Sequence, residues 1–210
     1  MSEECRRLHH LLCGLPRLTF PFDSSTIPRN GIYVLFEIGE TAHDVDRIVR
    51  VGTHTGANQL SSRIKQHFIL ENKDRSIFRK NVGRALLSRG YDPFLTDWEQ
   101  DRTTRAARKS CKIDLSKLRN VEQLVTNYIR QQFSLAVFCV ADKPERLRIE
   151  SRMISTISGC EECLPSSGWL GHCSPKHKIR ESGLWLVNEL YKTPFDVNGI
   201  DEFCLSLTQL

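Results

Sequence analysis

Five side chains are of types that together can hydrolyse a phosphodiester: Tyr33, Arg50, Arg63, His67 and Glu150. A phenol can handle the proton of an attacking water, a guanidinium can grip a phosphate in two-point fashion, and a carboxylate can hold a divalent cation. Arg63 and His67 are four residues apart, so on a helix they are neighbours flanking the stripe Leu60, Ile64, Phe68. Glu150 falls within the apolar helical pattern Leu147, Ile149, Met153, Ile154, Ile157. Leu147 and Ile154 share its face, whereas Glu145, Arg146, Arg148 and Arg152 are the expected solvent-side charges. A carboxylate beside a core needs an arginine, a proton or a metal. An ion pair at the edge of the core answers that need as well as a metal does.

The elements that must position these groups are legible from periodicity. Residues 31–38 alternate as a strand, with Ile32, Val34, Phe36 and Ile38 on one face and Tyr33, Leu35 and Glu37 on the other. Residues 47–52 form a second strand, with Val49 and Val51 opposite Ile48 and Arg50, and a longish polar connector joins the two. If they pair without a bulge, Tyr33 and Arg50 share a side, and a cation there stabilises the charge left when a phenol gives up its proton. Helices are expected after the second strand, with Leu60, Ile64 and Phe68 as the buried stripe, and at 76–88 and 120–132, a buried third strand at 134–140, and a helix capped by Asp142 with Pro144 in its first turn, running to about Ile157. Residues 91–112 read as a basic loop or exposed helix, and residues 1–28 as a lead-in whose short helix is ended by Pro16, Pro21 and Pro28.

Composition bounds the answer. The 210 residues are 40% hydrophobic and 26% charged, ordinary for a single globular domain. No apolar run approaches a membrane span, and the charged N-terminus is unlike a signal peptide, so an intracellular, cytoplasmic location with reduced thiols is expected. Net charge is +5, but residues 63–119 alone carry fifteen basic and seven acidic side chains, a local +8. Such a stretch suits a polyanion, or is the solvated face of amphipathic helices. Within it Lys73, Arg75, Arg79, Lys80 and Arg84 are the expected nucleic-acid-binding residues, tracking a phosphate backbone.

The order Gly31-Ile32-Tyr33, Arg50-Val51-Gly52, Arg63-x3-His67 and Glu150 resembles the GIY-YIG nuclease superfamily, strongly over residues 30–70 and more loosely to Glu150. The resemblance implies an α/β (α+β) fold: a small three-stranded antiparallel sheet flanked by helices, here with helical additions at both ends around a core at 29–157. It implies a Mg²⁺- or Mn²⁺-dependent DNA endonuclease. Tyr33 would be the general base or water-orienting group, Arg63 the phosphate-binding arginine, His67 an auxiliary and Glu150 the metal ligand. Arg50 stands where the second motif has a tyrosine, as a basic residue does in some restriction-type members. It would activate Tyr33 or contact phosphate. No residue following Glu150 uniquely matches the family's polar partner; Ser166, Ser167 and Asn188 are the candidates.

Two other readings stand beside this one: a catalytically inactive nucleic-acid-binding module of the same fold, and a nuclease of structured RNA. A palindromic target would need two copies of the site, and so a homodimer. Cys160-x2-Cys163 with His172, Cys173 and His177 has zinc-ligand types but no second C-x2-C, so structural zinc is not expected.

Overall fold

A two-residue turn, His43-Asp44, folds the first two long strands against each other, and both residues sit at positive φ (54° and 67°). This is the backbone sense that matches strand twist in tight hairpins. The expected long connector is therefore strand on both sides of a tight turn. The computed structural model describes residues 2–110 and 112–208; Met1, Cys111, Gln209 and Leu210 lie outside these. The elements in chain order are α1 Ser2–Cys13, β1 Leu18–Thr19, β2 Gly31–Ala42, β3 Val45–Gly52, α2 Leu60–Phe68, α3 Ile77–Arg89 and α4 Leu95–Glu99. They continue with α5 Arg105–Ser110, α6 Leu115–Gln132, β4 Phe133–Cys139, α7 Lys143–Ser158, α8 His177–Ser182 and α9 Val197–Thr208.

The fold is mixed α/β around one open antiparallel sheet ordered β1-β4-β2-β3. The three expected strands are its body. The fourth, β1, is a two-residue edge pairing Leu18 with Leu135, too short to leave a periodic signal among its flanking prolines. In the β2–β3 pair Tyr33 lies opposite Gly52 and Leu35 opposite Arg50, and the register shifts between Leu35 and Phe36. That irregularity corrects the simple alternation of β3. Val49 joins Tyr33 and Leu35 on one face, whereas Ile48 and Val51 join Ile32 and Val34 on the other. A second shift follows Phe36, and Ile38 is exposed rather than in line with Phe36.

The first face packs on α2, α3 and α6 through Ile64, Phe68, Phe78, Val125 and Ile129. The second packs on α1 and α7 through Leu8, Leu12, Ile149, Met153 and Ile157, with Phe203 of α9 behind them. The N-terminal lead-in thus buries a helix in the core. Asp142 accepts the Glu145 N–H (2.8 Å) and caps α7 as expected, but the Glu145 carboxylate is taken by Arg148 (2.6 and 2.7 Å). Arg146, expected in solvent, is buried and donates to the carbonyls of Val140 and Ala141.

One buried ion pair ties three helices. Arg79, fully buried on α3, donates twice to Glu122 of α6 (2.7 and 3.2 Å), to Thr126 Oγ1 (2.8 Å) and to the carbonyl of His67 on α2 (3.1 Å). Removing one partner of such a pair strands the other charge in the interior. Glu122→Ala should therefore cost about 3–5 kcal/mol in urea denaturation, whereas Glu145→Ala on the surface should cost about 0.5 kcal/mol or less. Equal effects would mean that Arg79 finds another partner.

Candidate active site

Both motif glycines are where they are because a side chain will not fit. A Cβ on Gly31 would lie 2.1 Å from the Phe138 carbonyl oxygen, and one on Gly52 would lie 2.3 Å from the Tyr33 hydroxyl. Tyr33 can therefore slide under the end of β3, where its hydroxyl meets two partners. His67 Nε2 is 2.7 Å away, and Arg50 Nε donates to it at 3.3 Å. The second shared proton runs between His67 Nδ1 and Ser76 Oγ (2.7 Å), and Ser76 also caps α3 by accepting the Arg79 N–H. Arg50 donates onward to the Trp185 carbonyl and stacks 5.2 Å over Phe78. Tyr33, Arg50 and His67 are all buried. Burial holds the His67 imidazole well below its ordinary pKa, and Arg50, Arg63 and Arg79 add to the effect. It is a neutral base against a phenol.

Arg63 and Glu150 form a second group. They line one polar cavity of about 440 Å³ together with Thr53, His54, Gln59 and Gln66. Glu150 comes from α7, on the sheet face opposite α2, yet its carboxylate reaches the end of β3, where Oε1 accepts the Thr53 N–H at 3.0 Å. Arg63, one turn before His67 on α2, turns outward and donates to Gln66 Oε1 (3.0 Å) and the Arg75 carbonyl (3.1 Å). Burial raises the pKa of the Glu150 carboxyl; the positive charge of Arg50 and the Thr53 N–H oppose the rise. A half-buried carboxylate in a cavity of hydroxyls and amides offers oxygen donors of the kind Mg²⁺ accepts.

The two groups adjoin without merging. Gly52 lies over Tyr33, and the next residue, Thr53, lines the cavity and holds Glu150. The five residues picked out in the sequence thus converge on one end of the sheet, two in the cavity and three beneath its wall. Arg50 directs its hydrogen bonds to Tyr33 and Trp185, and among the described residues it forms no ion pair with Glu150.

The expected phosphate track is not assembled. Lys73, Arg79 and Arg84 are buried. Lys73 is paired with Asp74, Arg79 with Glu122, and Arg84 with Glu99. Lys80 is partly buried and donates to the Glu99 carbonyl (2.9 Å); Arg75 is exposed. Glu122 lies outside the basic stretch and Glu99 is 15 residues from Arg84, so the charge balance of the stretch does not show which of its cations are paired. Further exposed cations of the basic stretch include Arg105, Arg108 and Lys109 on α5. Ser166 is spent on Glu40, to which its N–H (3.1 Å) and its hydroxyl both donate.

Sequence reasoning missed Thr53, His54 and Gln59, which sit in the segment between β3 and α2. His54 Nδ1 faces the Gly56 carbonyl (2.6 Å), and its Nε2 takes the Gly31 N–H (3.4 Å), so one imidazole laces both motifs together. A histidine two residues after the second motif's glycine was the available signal.

An open antiparallel sheet whose two glycine-bearing strands end at a carboxylate–guanidinium cavity defines a class of small α/β domain suited to phosphodiesters. The family model described as GIY-YIG domain matches residues 5–209, and the chain belongs to that family. Membership places it among nucleases, which act on nucleic acid and generally depend on a divalent metal. Neither the curated proteins nor the solved structures provide a match. Among the described residues no helix is long and apolar enough to cross a membrane.

The depressed pKa of His67 sets a sign for acid sensitivity. The unfolded chain protonates this imidazole near pH ~6.5, whereas the folded chain resists to lower pH, so acidification favours unfolding. Between pH 7.5 and 5.5, wild type should lose more stability than His67→Gln, by up to about 1.4 kcal/mol per pH unit below ~6.5. Parallel loss in urea titrations would mean that His67 is already protonated in the fold.

Proposed function

We propose that this protein is a Mg²⁺- or Mn²⁺-dependent DNA endonuclease that hydrolyses a phosphodiester by attack of water. The observation that carries the reading is the cavity shared by Glu150 and Arg63, two residues 87 positions apart that arrive from opposite faces of the sheet. Glu150 would hold the divalent cation, which would supply Lewis-acid stabilisation of phosphate charge there. Arg63 grips a non-bridging phosphate oxygen and stabilises the same charge. Thr53 holds the carboxylate in place, and Gln59 and Gln66 offer further polar groups to the backbone. Arg105, Arg108 and Lys109 are exposed cations able to contact flanking phosphates.

Tyr33 and neutral His67 share one hydrogen across 2.7 Å, a pair able to take up and pass a proton. With its hydroxyl beneath Gly52, Tyr33 acts in this conformation as a positioning residue for the ridge that presents Thr53 to Glu150. Proton handling at the substrate requires that hydroxyl to reach the cavity.

Its burial, with Arg50 in place of the second tyrosine, is also what favours the second reading, a non-catalytic binding module.

Plasmid nicking with and without Mg²⁺ separates the two. Wild type should nick only with metal, and Glu150→Ala should lose about 10²–10³-fold of that rate while still binding DNA. Salt-sensitive binding with no metal-dependent nicking in wild type would establish the binding module, and preferential cutting of structured RNA would transfer the activity to that substrate. Tyr33→Phe assigns the phenol: a rate loss of about 10²-fold with an altered pH–rate profile marks proton transfer, and a smaller loss with the profile unchanged marks positioning.

A further inference from the structure

Away from this cavity, four metal-ligating side chains from three separate segments meet in the interior. Cys5 and His9 are one turn apart on α1, His43 is in the β2–β3 turn, and Cys163 is in the loop after α7. All four are buried, and their ligand atoms lie within 4.8 Å of one another. We propose that Cys5, His9, His43 and Cys163 bind a structural zinc ion that fastens the N-terminal helix to the nuclease fold.

The geometry is near that of a tetrahedral site. Zinc bonds of about 2.3 Å to sulfur and 2.0–2.1 Å to nitrogen set a sulfur–nitrogen edge of about 3.5 Å. Cys163 Sγ and His9 Nε2 are 3.5 Å apart. His9 Nδ1 faces the Cys5 carbonyl at 2.9 Å, the backbone bond that commonly fixes the tautomer of a ligating histidine and turns Nε2 to the metal. Ile48 N–H also points at Nε2 (3.1 Å), and zinc must displace that contact. His43 occupies a positive-φ turn position that favours Asn, Asp or Gly, so nothing in the turn itself calls for a buried imidazole. His10 holds the turn by its Nε2 contact to the His43 carbonyl (3.0 Å).

Two thiolates and two neutral imidazoles are a soft donor set that selects zinc over Mg²⁺ and neutralises its charge. With four protein ligands and no solvent-facing position, the site is closed and structural rather than catalytic. The ligand pattern considered from sequence is not the one assembled. Of it, only Cys163 contributes; His172 faces the Ser166 carbonyl and His177 pairs with Glu181 on the surface. Cys160 lies 3.7 Å from His43 Nε2, beside the set. The match to the family model begins at residue 5, so α1 belongs to the matched unit.

The test measures metal in the full chain, purified without chelator from zinc-replete cells and dialysed under reducing conditions. About one equivalent of zinc is expected, retained in Glu150→Ala and Cys139→Ser and lost in Cys5→Ser and Cys163→Ser. Should the cysteine variants misfold, cobalt loaded into wild type reports the ligands directly: thiolate-to-cobalt charge transfer with the intense visible bands of a tetrahedral ion is expected. Chelation should lower Tm by roughly 10 °C. Zinc below about a tenth of an equivalent in folded wild type, full zinc in a folded Cys5→Ser, or a Cys5–Cys163 disulfide in the mass spectrum would each overturn the site.

Discussion

The close approach of the Tyr33 hydroxyl to Gly52 is the contact on which the candidate site depends. It is possible only because position 52 has no side chain. With the phenol seated there, the end of β3 is fixed from below by a residue that is itself held by His67 and Arg50. The backbone one residue later then presents its N–H to Glu150. A strand end is otherwise among the looser parts of a sheet. Here a buried phenol, a glycine and a backbone amide make it a platform on which groups from both faces meet.

Electrostatics divides the site in two. Beneath the platform the interior holds guanidinium groups by pairing or hydrogen-bonding them: Arg79 to Glu122, Arg50 to Tyr33 and a carbonyl. Their positive field and the loss of water keep His67 uncharged. Above it, in the cavity, Glu150 is a carboxyl that burial discourages from ionising and Arg50 encourages, and a cation bound there would settle that balance. The Arg79–Glu122 pair also links α3 and α6 to the backbone of α2 at His67, so the helix that carries Arg63 is anchored by charges with no direct access to substrate.

Much of this was legible in the sequence because it follows from short-range rules. Alternation located β2, helical periodicity located α2, α6 and α7, and Asp142 marked where α7 begins. Spacing also put Arg63 and His67 on one helix, though not that one faces the cavity and the other the core. What was not legible depends on partners far away in the chain. A bulge moved Val49 across the sheet, and Glu99 and Glu122 took cations that locally resembled a nucleic-acid face. The Cys5–His9–His43–Cys163 cluster spans most of the chain, and only the fold brings it together.

The central claim is that Glu150 and Arg63 share a cavity built to receive a divalent cation and a phosphate. Anomalous diffraction from crystals soaked in Mn²⁺ tests it without relying on turnover. The account predicts a manganese peak about 2–2.5 Å from the Glu150 carboxylate, inside the cavity lined by Thr53 and Arg63. A peak confined to other carboxylates, with Glu150 bare and turned away from Thr53, would contradict it.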